Sequence, residues 1–123
     1  MDERDRPVVS VVDDDESLRR SLRNLLRSVG FGVETFASAE AFLRSAERGS
    51  TGCMLLDLRM SGMSGLDLLR QLAIEESHIP VVILTAHGDA ETRRRSLEAG
   101  AVAVLDKPFR SDVLLDAVRA ALR

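Results

Sequence analysis

The 123-residue sequence has no tryptophan, no tyrosine, one cysteine and three prolines. A lone Cys53 excludes an internal disulfide framework and any all-cysteine metal site. No Pro/Gly/Ser-rich stretch is long enough to separate two domains, and no low-complexity segment or 20–50-residue repeat occurs. Long apolar runs are missing: the longest, 101–105, has five residues, too few to span a bilayer. A basic excess is missing too. Seventeen Lys and Arg against 20 Asp and Glu give a net charge of −3, which argues against a nucleic-acid-binding module. Neither G-x-x-x-x-G-K-[ST] nor G-x-G-x-x-G is present, so no glycine cradle for a nucleotide is indicated. Gly62-Met63-Ser64-Gly65 misses a nucleophile elbow, because Leu66 stands where its second glycine belongs. The opening Met1-Asp2-Glu3-Arg4-Asp5-Arg6 is polar and reads as no secretory leader. With the single cysteine, this predicts a cytoplasmic chain.

What is present suits one soluble domain. Apolar residues make up 45% and charged residues 30% of the chain. A chain of this length buries roughly 65–70% of its unfolded surface, enough for a core of its own.

Strand-like and helix-like segments alternate. Val8–Val12 is β-branched and nearly all apolar, as a strand buried on both faces should be. Leu18, Leu22, Leu25, Leu26 and Val29 form a helical stripe, with Gly30 as its stop. Val33–Phe36 is a more mixed strand containing Glu34, which suits a sheet edge. Ser38 can cap a helix to about Arg48, with Phe42, Leu43 and Ala46 inward. Cys53–Leu56 is a third strand running into Asp57, and a glycine-punctuated loop follows. Ser64-Gly65-Leu66-Asp67 fits a capping box before a stripe of Leu66, Leu69, Leu72 and Ala73. Pro80–Leu84 is a fourth strand ending at Thr85. Asp89 can cap a fourth helix whose apolar content is thin: Ala90, Leu97 and Ala99. Val102–Leu105 is the fifth strand, and Ser111 the expected cap of a last helix carrying Leu114, Leu115, Val118, Ala121 and Leu122 inward.

Strict (βα)5 alternation with connections this short requires parallel pairing and right-handed crossovers. Five strands cannot close the eight-stranded barrel, so an open, doubly wound α/β sheet is expected, in strand order 2-1-3-4-5. Such sheets bind ligands outside the carboxyl ends of their strands, at the switch point between strands 1 and 3.

Those ends are chemically specific. Strand 1 ends in Asp13-Asp14-Asp15, strand 3 in Asp57, strand 4 in Thr85 and strand 5 in Asp106-Lys107-Pro108. Two unit charges 4 Å apart repel by about 4 kcal/mol at an effective dielectric near 20, so converging carboxylates call for a counter-ion. Hard oxygen donors without histidine or thiolate point to Mg2+ rather than Zn2+. Mg2+ prefers one or two carboxylates plus a phosphate. Lys107 supplies a point charge and Thr85 a hydroxyl for phosphate oxygens. Without a phosphate loop, the phosphate is expected to attach to the protein itself, at the central carboxylate Asp57.

At these residues the chain resembles the receiver domains of bacterial two-component response regulators. The resemblance spans Pro7 to Arg123 and rests on Val11-Val12-Asp13-Asp14-Asp15, Leu55-Leu56-Asp57-Leu58-Arg59-Met60, Leu84-Thr85-Ala86, Gly100-Ala101 and Lys107-Pro108-Phe109 in order. Ser38–Leu43 and Lys107–Arg110 are similar to the nitrogen-fixation-regulator (FixJ) group, which usually adds a DNA-binding domain. The resemblance implies Asp57 as phosphoacceptor and a sensor histidine kinase or small acyl phosphate as donor. It implies Mg2+, or Mn2+ in its place, held by Asp14 directly, Asp13 mostly through water, Asp57, and the main-chain carbonyl of Arg59. It implies Lys107 on the phosphoryl group, a cis Lys107–Pro108 bond, and Thr85 reporting occupancy to the face of helix 4, strand 5 and helix 5. In this family that face often mediates homodimers. Residues 1–123 are read as the receiver alone, with no output domain, no direct nucleic-acid contact and no membrane contact. Catalysis would be confined to the chain's own phosphorylation and slow dephosphorylation.

Three positions depart from the family pattern. Val104 stands where an aromatic is usual, Ser61 replaces a common proline, and Ala103 replaces a frequent acid. Helix 4 is therefore expected to carry the signal instead. Arg93-Arg94-Arg95 reads as its wet face, His78 and His87 as loop residues, and Cys53 as core. The competing functions are a degenerate receiver acting only as an interaction module, a flavin or nucleotide binder on the same scaffold, and a small-molecule phosphatase. The intact acidic set with Thr85 and Lys107 favours the phosphorylatable switch.

Overall fold

In a computed structural model that describes residues 6–123, strands β1 (Val8–Val12), β2 (Gly32–Phe36), β3 (Thr51–Asp57), β4 (Val81–Thr85) and β5 (Ala103–Asp106) alternate with helices α1 (Glu16–Ser28), α2 (Ala39–Arg44), α3 (Gly65–Ile74), α4 (Ala90–Glu98) and α5 (Ser111–Ala121). The polar opening at residues 1–5 lies outside the described residues. The five strands form one parallel sheet in the order β2-β1-β3-β4-β5, as expected. Among the described residues, no helix is long and apolar enough to cross a membrane.

The sheet is covered on both faces because neighbouring residues along a strand point to opposite sides. Val12, Leu56 and Ile83 pack with Phe42, Leu68 and Leu72 on one face. Val11, Leu55 and Leu84 pack with Leu22, Leu26, Leu114 and Val118 on the other. This double burial is why β1, β3 and β4 are almost wholly apolar, while the edge strand β2 leaves Glu34 exposed. Cys53 lies fully buried among these residues, and desolvation pushes its thiol up to about 12, so it is core rather than nucleophile.

The pairing of β1 with β3 contains one irregularity. Val8 stands opposite Thr51 and Val9 opposite Cys53, so Gly52 is an extra residue in β3. A side chain there would press on Leu122, whose Cδ2 lies 3.1 Å from the position of a Cβ. Beyond the bulge the register runs unbroken to Val12 opposite Leu56, which brings Asp13 alongside Asp57.

The helix boundaries differ from expectation in several places. α2 ends at Arg44, because Ser45 is extended (ψ 134°); Ala46 is consequently exposed, and Arg48–Ser50 forms a separate single 3-10 turn. The inward face of α3 is Gly65, Leu68, Leu69 and Leu72, one step round from the expected stripe, leaving Ala73 exposed. Gly65 causes this: it sits against the Asp57 carbonyl oxygen, so the helix approaches the sheet most closely along its own side. The last helix has Arg110 at its N-cap without a side-chain cap bond, and Ser111 is already its first residue. The caps expected at Ser38, Ser64 and Asp89 are present, Ser64 and Asp67 as a full capping box.

α4 is the helix with least apolar attachment. Its one buried residue is Ser96, whose Oγ donates to the Thr92 carbonyl, and Leu97 is 47% exposed. Arg93 does not lie on the wet face with its neighbours. It turns inward, donating from Nη1 to the Val104 carbonyl at 3.0 Å and lying 3.5 Å from Asp106 Oδ2. Arg94 and Arg95 instead pair with Glu91 and Glu98 along the outer surface. α4 is therefore expected to open at lower free energy than α1 or α5. In native-state hydrogen exchange its amides should exchange first among the three, and Arg93→Ala should speed them roughly three- to tenfold, the loss of one hydrogen bond of about 0.5–1.5 kcal/mol. Equal protection across the three helices would contradict this.

Candidate functional site

The carboxyl ends of β1, β3 and β5 bring Asp13, Asp14, Asp57 and Lys107 together. One carboxylate oxygen from each aspartate lies within 4.8 Å of the others. Asp13 and Asp57 are buried, at 1% and 6% exposure, while Asp14 faces solvent.

Each group is held by local structure. Asp13 follows the last residue of β1, and its Oδ1 accepts the Asp15 N–H at 2.9 Å. Asp15 is itself the N-cap of α1, accepting the amides of Ser17 and Leu18, so the third aspartate builds the turn rather than the cluster. Arg19, one turn into α1, donates from Nη1 to the Asp13 carbonyl at 2.7 Å and braces the strand end. Nothing in the sequence singled out this arginine. Asp57 closes β3, and the backbone amide of Arg59 draws its carboxyl down. The Arg59 carbonyl therefore belongs to the loop segment leaving the cluster.

Lys107 reaches in from the end of β5. Its Nζ is 2.9 Å from Asp13 Oδ2 and 3.4 Å from Asp57 Oδ1. Its backbone N–H donates to the Thr85 carbonyl at 2.8 Å, and the bond to Pro108 is cis. Thr85 ends β4, 2% exposed, with Oγ1 accepting the His87 N–H at 3.1 Å; the hydroxyl proton is left to donate elsewhere. Thr85 also borders a cavity of about 190 Å³ lined by Leu58, Arg59, His87, Thr92 and Ser96.

One ammonium thus faces three carboxylates, and the electrostatics show the deficit. Burial and the Asp13 charge push the Asp57 carboxyl above its usual range, against the pull of Lys107 and the Arg59 amide. Burial draws the Lys107 ammonium down, but the bond to Asp13 and the charges of Asp13 and Asp57 leave it above its usual value. The donor set is oxygen only, crowded and under-neutralised, which fits a hard divalent cation such as Mg2+ better than a soft one. Asp13, Asp14 and Asp57 are the side chains able to hold it.

All the side chains expected from the sequence thus reside at one edge of the sheet. The sequence reading passed over Arg19 and Glu40. Glu40 sits in the first turn of α2 and reaches the loop after Asp57. Its role there has no signature in spacing, because the contact joins two segments far apart in the chain.

Comparison with known proteins agrees with this architecture. Residues 9–119 match the response regulator receiver domain family. The chain is 49% identical over 116 residues to nodulation protein W of Bradyrhizobium diazoefficiens, covering 94% of this chain and 51% of that protein. It is 41% identical over 115 residues to transcriptional regulatory protein FixJ of the same organism, covering 94% and 56%. Among solved structures, response regulator StyR superimposes with a TM-score of 0.87 at 50% identity, over 95% of this chain and 59% of that one. The chain spans about half the length of the curated relatives it matches. The sheet order, the acidic edge and the match over residues 9–119 lead to one conclusion: the chain belongs to the response-regulator receiver domain family of two-component signalling.

Proposed function

We propose that this chain is a phosphorylatable switch in which Asp57 accepts a phosphoryl group from a sensor histidine kinase or a small acyl phosphate. The observation that carries the reading is the meeting of Asp13, Asp14 and Asp57 within 4.8 Å, beside Lys107. A carboxylate oxygen of Asp57 attacks phosphorus, and the bond to the donor breaks with its electron pair leaving on the donor. No general base is needed, because the ionised carboxylate carries no proton to remove. Asp13, Asp14, Asp57 and the Arg59 carbonyl would hold Mg2+, which would supply charge neutralisation and alignment when bound. Lys107 moves from bridging Asp13 and Asp57 to facing the phosphoryl oxygens, and the Thr85 hydroxyl donates to them. Water reaching the same site returns the chain to its resting form.

The output in this reading passes through Thr85 to the face of α4, β5 and α5, where a partner, an output domain or a second copy would dock. Val104 offers no ring to swing, so the loosely attached α4 carries the change. Residues 1–123 act as a receiver with no nucleic-acid contact of their own.

The test is incubation with acetyl phosphate, with and without Mg2+, read by intact mass beside Asp57→Asn. Wild type should gain one phosphoryl group only with Mg2+, and Asp57→Asn none. Without Mg2+ the Asp57 carboxyl is pushed above its usual range by burial and Asp13, and bound Mg2+ should draw it back down, so the rate with Mg2+ should already be level at neutral pH. A phosphoryl group on Asp57→Asn, or a wild type indifferent to Mg2+ in both mass and melting temperature, would overturn the reading in favour of an interaction module.

A further inference from the structure

We infer that Glu40 is a positioning residue of the acceptor site, clamping from α2 the loop that carries Arg59. The inference rests on the acceptor reading above and extends it to a residue outside the acidic cluster.

The loop runs from Leu58 to Ser64 and is fastened at both ends by its own chain. At its start the Arg59 amide pulls on the Asp57 carboxyl. At its end the Gly65 N–H donates to the Leu58 carbonyl at 3.0 Å. Its middle is fastened from outside, where Glu40 Oε2 accepts the Met63 N–H at 3.2 Å. Gly62 lies so close that a Cβ there would collide with the same oxygen, and it adopts a φ of +77°. Loop backbone and carboxylate are therefore fitted to each other at two successive residues.

Two further facts show that the carboxylate is built in rather than resting on the surface. Its Oε1 is out of reach of solvent and has no hydrogen-bond partner among the described residues. A buried acceptor left unmade costs about 1–3 kcal/mol, so its retention calls for a compensating role. The amides of Glu40 itself and of Met63 hold the carboxyl below the usual range, so it is the charged form that grips the loop. α2 is only six residues long, packed beside the edge strand β2, and Glu40 is its link to the acceptor loop. Through Met63 it holds the loop, and with it the Arg59 backbone two residues after Asp57.

The experiment compares wild type, Glu40→Gln and Glu40→Ala by three measurements. These are the exchange rate of the Met63 amide, the rise of melting temperature with added Mg2+, and the rate of phosphoryl gain from acetyl phosphate. Glu40→Ala should speed exchange at Met63 about tenfold or more. It should also raise the Mg2+ concentration needed for half the thermal shift, and slow loading, by about tenfold or more, the usual effect of removing an outer support of a metal site. Glu40→Gln keeps an oxygen for the Met63 amide and should stay within roughly threefold of wild type in all three. Should Glu40→Ala fail to fold, Glu40→Asp, one methylene short of the loop, takes its place with the same expectations. Wild-type Mg2+ response and loading in Glu40→Ala would overturn the inference alone, as would Glu40→Gln falling as far as Glu40→Ala. A wild type that neither responds to Mg2+ nor gains a phosphoryl group would sink the acceptor reading and this one with it.

Discussion

Lys107→Ala should slow phosphoryl gain at Asp57 by about 10²–10³-fold, the range for removing one preorganised charge from a reacting site. Lys107 is the only cation among the described residues within salt-bridge distance of Asp13 or Asp57. Its loss leaves two buried carboxylates facing each other with the Arg59 amide as the remaining restraint on Asp57. The same variant should lose about 1–3 kcal/mol of stability at neutral pH, since Lys107 is partly exposed and water screens some of the interaction. The loss should depend on pH in a definite direction. Asp57 is already pushed up by burial and Asp13, and without Lys107 it rises further. A carboxyl whose folded value exceeds its unfolded one binds more protons when folded, so stability falls as pH rises between the two values. The variant and wild type should therefore converge below about pH 4, the unfolded value, and diverge above it. Mg2+ should recover more stability in the variant than in wild type, because it meets a larger charge deficit. Thermal melts from about pH 3.5 to 7.5, with and without Mg2+, check both points. Parallel melting curves for the two proteins across that range would contradict the charge balance described here.

Gly65→Ala should cost far more stability than the addition of one methyl group suggests. The added methyl would meet the Asp57 carbonyl oxygen and stand 2.8 Å from the Leu58 Cα, both backbone atoms at the end of β3. Neither can rotate aside, so α3 must lift from β3. Overpacking of this kind costs about 3 kcal/mol, or roughly 10 °C in melting temperature for a domain of this size. Gly88→Ala is the informative contrast. Its methyl would meet Asp106 Oδ1, the tip of an exposed side chain that can swing into solvent. That variant should melt within about 2 °C of wild type, as expected where no backbone need move. It would separate Asp106 from Arg93 and so loosen α4 without touching the acidic cluster. Equal melting temperatures for the two variants would show that α3 has slack that the packing does not suggest.

The strand order and the cluster were legible because they depend on features that a sequence displays directly. Runs such as Val81–Leu84 announce burial on both faces, and acids placed at the ends of such runs are carried to one edge by topology alone. What was not legible depends on where elements touch. The face of α3 could be placed only once Gly65 was seen against the Asp57 carbonyl. The early end of α2 turns on the extended backbone of Ser45, a residue as compatible with helix as with turn. Arg93 could not be told from Arg94 and Arg95 by type, and its inward turn shows only in its bond to the Val104 carbonyl across from α4. Glu40 was visible only as one acid in a helical first turn; its partner amide is 23 residues away.

The bulge at Gly52 has a consequence at the opposite end of the sheet. Had β1 and β3 kept the alignment that begins with Val8 opposite Thr51, Asp14 rather than Asp13 would stand level with Asp57. Side chains alternate between faces, so that one-residue slip would turn the buried acid away from Asp57 and offer the exposed one in its place. Which acid is paired with Asp57 is therefore a matter of counting. A single supernumerary glycine, at the other end of β3 from Asp57, works as a spacer that tells the two strands which of three consecutive aspartates is to meet the fourth. Shortening β3 by that residue would alter the chemistry of the site without changing one of its side chains.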